Sequence, residues 1–168
     1  GDAHEWFLAA QADPAAAEAS FYRFLEHPRR YVSWLDVPSL PKLDHADAEL
    51  RRRFYQGPDS VVARWLRGPV ALDGWRIDVA NMTGRLGSAD LAHDVARAIR
   101  ATVAEQNPQA WLLAEHGHDA SGDLAAGGWQ GTMNYSGFTR PVWTWLNQPG
   151  HGITWLGMPM EVPTLPGT

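Results

Sequence analysis

Three charged side chains stand at the ends of two short apolar segments, where a buried strand would be expected to carry none. Arg76 and Asp78 interrupt the apolar pattern of residues 72–79, and Glu115 follows the apolar stretch WLLA. Side chains alternate between the two faces of a strand, so Arg76 and Asp78 share one face near its carboxyl end. If the two strands are neighbours, about 4.8 Å apart, the two carboxyl groups approach each other across the strand ends.

Two carboxyl groups about 5–5.5 Å apart are the chemical machinery of a retaining glycosidase, in which one is the nucleophile and the other the general acid. Arg76 favours the ionised form of Asp78, which a nucleophile needs. Glu115 has no cationic neighbour on its own strand. Repulsion from Asp78 therefore favours its protonated form, which suits a general acid. The alternative is a structural Arg76–Asp78 ion pair, which leaves Glu115 as a further charge without a reason.

The surrounding elements predict a strand–helix–strand unit. A strand is expected over 71–79 and another over Trp111–Ala114. Between them Ser88 is a good N-cap for a helix that ends at Asn107-Pro108. This order predicts two parallel strands. Apolar residues recur on one face of the predicted helix, at Leu91, Val95, Ala98, Ile99 and Val103.

The remaining elements are fewer and shorter. Asp13-Pro14 predicts the start of a helix through the Ala-rich stretch 15–19. Helices are also expected over about 46–55 and 60–66, and a third strand over 131–135. The last twenty or so residues have the pattern of a loop. Because three strands are few for a closed α/β domain, we expect the chain to be part of a larger fold.

Composition excludes several classes of protein. The chain has 168 residues, a net charge of -5 and no cysteine. Without a basic tract, nucleic acid is not an expected partner, and without a long apolar run no membrane span is expected. The absence of cysteine excludes disulfides and thiolate metal sites and fits a reducing, cytoplasmic location. Nine tryptophans are expected mainly in the core, and stacking on sugar rings is the alternative.

At these motifs the sequence resembles the α-amylase superfamily, the family-13 glycoside hydrolases. DGWRIDVAN is similar to the fourth-strand motif Gly-x-Arg-x-Asp, and WLLAEHGHDA to the fifth-strand motif. SLPKLD is similar to the Met-Pro-Lys-Leu-Asn signature of the neopullulanase and cyclomaltodextrinase subgroup. GTMNY resembles the sixth strand of the same subgroup. GDAHEWF looks like the sequence that follows the third-strand Asn-His motif. The motifs stand in the order of the family.

The resemblance implies an α/β fold that is a partial (β/α)8 TIM barrel, covering about strands 4 to 6. Residues 1–69 would form the insertion after strand 3, similar to domain B of the family, and 70–168 the partial catalytic barrel. The third-strand motif and the seventh-strand His-Asp have no counterpart in the chain. The isolated chain is therefore expected to be inactive or nearly so, and to associate with itself through exposed barrel edges.

The resemblance also implies an α-retaining reaction on α-glucans or malto-oligosaccharides. Asp78 matches the nucleophile, and Glu115 the acid/base that serves first the leaving oxygen and then water or a sugar hydroxyl. Arg76 would keep Asp78 ionised and oriented. Lys42 stands where calcium-binding relatives have Asp, so a structural calcium is possible but not indicated. No cofactor is expected.

Four further residues are candidate substrate contacts. Asn81 and Met82 take positions that face the leaving-group side of the cleft in the family. His118 is expected to contact sugar or to support a residue that does. Trp129 lies before the third predicted strand, where it would line the cleft or pack the loop.

Two other functions stay open. Alternating His116 and His118 beside Asp119 could bind a divalent metal in a metal-dependent hydrolase. The chain could also belong to a non-catalytic module that binds glucan without turnover.

Overall fold

The computed structural model describes residues 1–146, 153–155 and 158–160. The chain begins with α1 (Glu5–Ala12), a 3-10 helical turn (Ala17–Phe21) and an antiparallel hairpin of β1 (Phe24–Glu26) and β2 (Arg30–Tyr31). These elements enclose a small core whose buried residues are Phe7, Ala10, Phe21, Tyr22 and Leu50.

The helix predicted over 15–19 is displaced. The Asp13 carboxylate accepts a hydrogen bond from the Ala15 N–H at 2.8 Å, which forms a local turn two residues on. Helical structure therefore starts only at Ala17–Phe21, and it is a 3-10 turn.

Two predicted helices are confirmed with altered ends. The first is α2 (Ala48–Arg51), which continues into a π-helical turn (Arg52–Gln56), and the second is α3 (Val61–Trp65). Asp47 and Ser60 cap them, because each side-chain oxygen accepts a hydrogen bond from the backbone N–H three residues on.

The strand that carries Arg76 is β3 (Gly74–Ile77), shorter than the predicted 71–79. A two-stranded hairpin follows, made of β4 (Arg85–Leu86) and β5 (Ala89–Asp90), and it leads into α4 (Ala92–Gln106).

The prediction of Ser88 as a helix N-cap is wrong. Ser88 lies in the tight turn between β4 and β5, next to Gly87 with a left-handed φ of 63°. The Asp90 carboxylate instead accepts a hydrogen bond from the Ala92 N–H at 3.1 Å, at the start of α4.

The chain continues with β6 (Trp111–Ala114), α5 (Ser121–Ala125) and β7 (Gly131–Thr132). Strands β3, β6 and β7 form a parallel sheet in that order, with Gly74 opposite Trp111. This confirms the predicted strand–helix–strand unit. The third strand is shorter than the predicted 131–135, because Asn134 takes a left-handed φ of 54° and a π-helical turn begins next.

The carboxyl-terminal part differs from the predicted loop. After α6 (Arg140–Leu146), β8 (Ile153–Trp155) and β9 (Met158–Met160) pair as an antiparallel hairpin. The rest of the predicted loop lies outside the described residues.

The main core lies between the parallel sheet and the helices α3 and α4. The predicted apolar face of α4 is confirmed, since Val95, Ile99 and Val103 are buried and Leu91 and Ala98 are partly buried against the core. Each fully buried side chain of this size contributes about 1.5–3 kcal/mol by leaving water.

Among the tryptophans whose burial the structure describes, Trp129 is buried, and Trp6 and Trp75 are partly buried against the small core and the main core. Trp111, on the Glu115 face of β6, is 61% exposed. Trp143 and Trp145 are exposed on α6. Within the described residues, the parallel sheet has three strands. No described helix is long and apolar enough to cross a membrane.

Candidate active site

Arg76 bridges the two candidate catalytic carboxylates. Its Nη1 donates a hydrogen bond to Asp78 Oδ1, and its Nη2 lies 2.8 Å from Glu115 Oε1. The hydrogen bond to Asp78, with the charges of Glu115 and Asp78, raises the pKa of Arg76 above its usual value, against a smaller opposing effect of burial. Glu115 has no cationic neighbour on its own strand, but Arg76 reaches across the strand pair to it.

The two carboxyl groups differ in their surroundings. The Asp78 side chain is 73% exposed, and that of Glu115 is 19% exposed. Glu115 Oε2 also accepts a hydrogen bond from the Val79 N–H at 2.9 Å. Glu115 is thus held at both oxygens, while Asp78 has an open approach from solvent.

Backbone geometry places these groups. Beyond the strand ends, the Glu115 N–H donates to the Ile77 carbonyl at 2.9 Å and the Ala80 N–H donates to the Glu115 carbonyl at 3.0 Å. Val79 takes a left-handed φ of 46°, which is rare for a β-branched residue and costs about 1–3 kcal/mol. In this conformation the Val79 N–H faces Glu115, so the turn after Asp78 provides a hydrogen-bond donor to the Glu115 carboxylate.

Gly74 allows the strands to come together. An added Cβ at this position would lie 2.2 Å from the Trp111 carbonyl oxygen, closer than any side chain permits. The glycine of the Gly-x-Arg-x-Asp motif therefore fits the close approach of β3 and β6.

Two residues near Arg76 were missed by sequence reasoning, Met133 and Tyr135. Arg76 Nε lies 3.2 Å from Met133 Sδ, and the Tyr135 hydroxyl lies 3.4 Å from the same sulfur. Both residues follow β7 in GTMNY, so their place at a strand end was the available signal.

Two of the predicted substrate contacts lie on the loop after β3. Asn81 lies on the loop after β3, where its carbonyl accepts a hydrogen bond from Arg85 Nη1. Met82 lines a cavity of about 420 Å³ together with Arg76 and Asp78.

The other two are placed differently. His118 is exposed, with its ring centroid 6.4 Å from that of His116. Trp129 is 5% exposed and packs in the main core, which favours loop packing over the cleft. The flat ring covers apolar side chains there and is not presented to a ligand.

The geometry does not favour a metal-dependent hydrolase. His116 is buried and its Nε2 lies 2.6 Å from Asp123 Oδ2, so this nitrogen already has a partner. Within residues 1–146 and the two short described strands, no three His, Cys, Asp or Glu side chains are grouped to hold a metal.

Lys42 stands where calcium-binding relatives have Asp. Its Nζ donates a hydrogen bond to the Arg85 carbonyl at 2.5 Å, and burial lowers the pKa of this lysine.

The parallel strands, the crossover helix and the polar groups at the carboxyl ends of the strands define part of a (β/α)8 barrel. The family model for the α-amylase catalytic domain matches residues 2–125, and the chain belongs to this family. This confirms the resemblance and the fold class.

Curated relatives come from the expected subgroup. A cyclomaltodextrinase of Geobacillus thermopakistaniensis (strain MAS1) is 32% identical over 105 residues, covering 62% of this chain and 16% of the relative. Neopullulanase 2 of Thermoactinomyces vulgaris is 34% identical over 101 residues, covering 60% of this chain and 15% of the relative. The chain thus spans about a sixth of the length of these relatives.

Solved structures agree on the fold. A cyclomaltodextrinase superposes with a TM-score of 0.68 at 23% identity, over 81% of this chain and 22% of the other. The type III pullulan hydrolase from Thermococcus kodakarensis gives a TM-score of 0.66 at 22% identity, over 81% of this chain and 23% of the other.

Proposed function

We propose that the protein carrying this chain is a retaining glycoside hydrolase that acts on α-glucans or malto-oligosaccharides. Asp78 is the nucleophile and Glu115 the acid/base. The observation that carries this proposal is the guanidinium of Arg76, which contacts both carboxyl groups at the ends of neighbouring parallel strands. Because a single guanidinium contacts both carboxyl groups, they lie close together. This suits the separation of about 5–5.5 Å between the two carboxyl groups of retaining enzymes better than the 6.5–9.5 Å of inverting ones.

In the first step the exposed Asp78 carboxylate attacks the anomeric carbon. The glycosidic bond breaks as Glu115 gives its proton to the leaving oxygen, and a covalent glycosyl-enzyme forms. In the second step Glu115 removes a proton from water or from a sugar hydroxyl, whose oxygen displaces Asp78. The two outcomes are hydrolysis and transglycosylation.

The contacts of Glu115 suit the negative charge that develops when it gives up a proton. Oε2 accepts the Val79 N–H at 2.9 Å, and Oε1 lies 2.8 Å from Arg76 Nη2. Both oxygens therefore have donors in place for the carboxylate form. A charge-assisted hydrogen bond thus strengthens as negative charge develops on Glu115.

The substrate class draws support from the relatives, which are named cyclomaltodextrinase, neopullulanase and intracellular maltogenic amylase. Asn81 and Met82, on the loop after the nucleophile, and His118, three residues after Glu115, are proposed to contact the sugar. No observation favours a non-catalytic glucan-binding module over this assignment.

The experiment that tests the proposal follows the product anomer. The protein that carries this chain is incubated with maltotriose, cyclomaltodextrin or pullulan, and the first product is observed by proton NMR. The α-anomer is expected, and Asp78→Asn should form none. Initial release of the β-anomer, or undiminished turnover by Asp78→Asn, would contradict the proposal.

We further propose that residues 1–69 form the domain-B-like insertion and 70–168 the partial barrel. The small core around Phe7 and Phe21 supports a separate unit. Val62 and Leu66 of the first segment pack in the main core, so its last helix anchors it to the barrel. Limited proteolysis tests this division, because cleavage should fall first in the connections and leave the main core intact.

Self-association of the isolated 168-residue chain is also proposed. Exposed Phe138, Trp143 and Trp145 support it, and within the described residues β3 pairs only with β6. Unpaired strand edges and exposed apolar side chains favour association between chains. Light scattering after size-exclusion chromatography should give a mass above that of one chain.

A further inference from the structure

Asp123, in the first turn of α5, joins three elements of the site. Its Oδ2 lies 2.6 Å from His116 Nε2, and its Oδ1 lies 2.7 Å from His93 Nε2 at the start of α4. Arg85 Nη2, on β4, approaches Oδ1 at 3.9 Å. One largely buried carboxylate therefore gathers two imidazoles and a guanidinium beside the proposed active site.

His116 connects Asp123 to the acid/base, because it is the residue directly after Glu115. Its side chain is 4% exposed, and its Nδ1 is buried without a hydrogen-bond partner in the described structure. The carboxylate only accepts hydrogen bonds, so Nε2 carries the proton and its N–H donates a hydrogen bond to Asp123. Asp123 thus selects one tautomer and one ring orientation of the side chain next to Glu115.

Arg85 connects the same carboxylate to the loop of the nucleophile. Its Nη1 donates to the Asn81 carbonyl, three residues after Asp78, and its Nε lies 3.1 Å from Asp90 Oδ2. Asp123 thereby has a route of contacts to each proposed catalytic carboxyl, one through His116 and one through Arg85.

We propose that Asp123 is a positioning residue that fixes Glu115 and the Asp78 loop relative to each other through His116 and Arg85. This inference rests on the proposed glycosidase function. It concerns a contact that no local sequence pattern indicates, since β4, α4 and α5 are separated along the chain.

The electrostatics of Asp123 agree with this role. Burial acts to raise the pKa of Asp123, but the hydrogen bonds from His116 and His93 outweigh it, and the pKa lies below its usual value. The carboxylate stays ionised and keeps its capacity to accept from both imidazoles. A neutral side chain of the same shape has a single acceptor oxygen.

Asp123→Asn tests the role in the protein that carries this chain. The amide nitrogen cannot accept from an imidazole N–H, so one of the two histidines loses its partner. A small misplacement of a catalytic group costs up to about 100-fold in rate, and we expect kcat to fall about 10- to 100-fold while KM changes less than about threefold. The matched control is Asp94→Asn, which removes an exposed carboxylate that pairs with Arg97 on α4 and should keep kcat within about twofold.

A second pair of variants separates positioning from folding. In His116→Gln the side-chain amide can still donate to Asp123, whereas His116→Leu cannot donate. If the two variants have equal melting temperatures, a higher kcat in His116→Gln than in His116→Leu supports the positioning role of Asp123. Equal kcat in these two variants, or an Asp123→Asn kcat within about twofold of the unaltered protein, would overturn the inference.

The nitrogen-15 NMR signature of His116 is independent of turnover. The expected state is protonated Nε2 and bare Nδ1, changing in Asp123→Asn, and a protonated Nδ1 in the unaltered protein would overturn the inference whatever its activity. Activity of the unaltered protein that disappears in Asp78→Asn separately establishes the proposed function. Failure of one claim is therefore distinguishable from failure of the other.

Discussion

Arg76 of β3 and Glu115, which follows β6, are joined across two neighbouring strands by a contact of 2.8 Å between Nη2 and Oε1. The same guanidinium donates to Asp78, two residues further along the chain and just after β3. The arginine is therefore shared by the two carboxyl groups, and its fork-shaped donor geometry is what makes this sharing possible.

Replacing Arg76 by Lys should keep the charge and lose the bridge. The three donors of a lysine ammonium diverge from one nitrogen and lack the fixed spacing of Nη1 and Nη2, so the two contacts cannot both keep their geometry. We expect kcat/KM of the protein that carries this chain to fall by about 100-fold, in the range found for one lost transition-state donor. Arg97→Lys, at an exposed pair on α4, is the control. Similar rates in both variants would show that the bridge does not matter.

Gly74→Ala should destabilise the fold. The new Cβ would meet the Trp111 carbonyl oxygen at 2.2 Å, so β3 and β6 must separate. We expect a loss of about 2–3 kcal/mol in the free energy of unfolding, measured with urea.

The control for this change is Gly122→Ala in α5, where an added Cβ meets nothing within 4 Å. Alanine there should be neutral or stabilise by about 0.5–1 kcal/mol, because it restricts the unfolded chain and favours helix. Equal stability of the two variants would contradict the close approach at Gly74.

His45 should make stability depend on pH. Burial lowers its pKa from 6.5 to about 4, and its Nδ1 is buried without a partner in the described structure. The unfolded chain therefore binds the proton first, so this contribution is fully present above pH 6.5 and is lost as pH falls toward 4. The shift corresponds to about 3 kcal/mol.

His45→Phe keeps a ring against Tyr55 and removes the titration. The difference in unfolding free energy between the two proteins, followed from pH 7 to pH 4, should shift by up to about 3 kcal/mol in favour of the variant. A difference that is constant with pH would contradict a buried, neutral His45.

The local pattern of the sequence predicted the central part of the site. Alternation along β3 placed Arg76 and Asp78 on one face, and the apolar face of α4 predicted the parallel strand that carries Glu115. These features depend on neighbours in sequence or on one crossover, which periodicity indicates well.

Contacts between separated elements were not predictable in the same way. The bond from Arg76 to Glu115 depends on the register of β3 and β6, and the contact of His116 with Asp123 on the position of α5. Ser88 was misassigned because its hydroxyl suits a helix cap as well as a turn, and the preceding Gly87 decides for the turn.

The 168-residue chain by itself should be inactive or nearly so. It supplies Asp78 and Glu115, while the Asp of the seventh-strand His-Asp motif, which the resemblance implies as a stabiliser of the transition state, has no counterpart in the chain. Loss of one such stabilising group costs about 100- to 1000-fold, and we expect the isolated chain to fall below the longer protein by at least that factor. Parallel assays on maltotriose measure the ratio, and comparable rates would show that the described site is sufficient.

The most direct test of the central claim is to trap the glycosyl-enzyme. The protein carrying this chain is treated with a fluorinated α-glucosyl fluoride, which forms the covalent intermediate and slows its breakdown, and is then digested for mass spectrometry. The mass of one glycosyl group should appear on the peptide that contains Asp78, and Asp78→Asn should remain unlabelled. A label on Glu115 or on another carboxylate, with Asp78 unmodified, would contradict the assignment of Asp78 as the nucleophile.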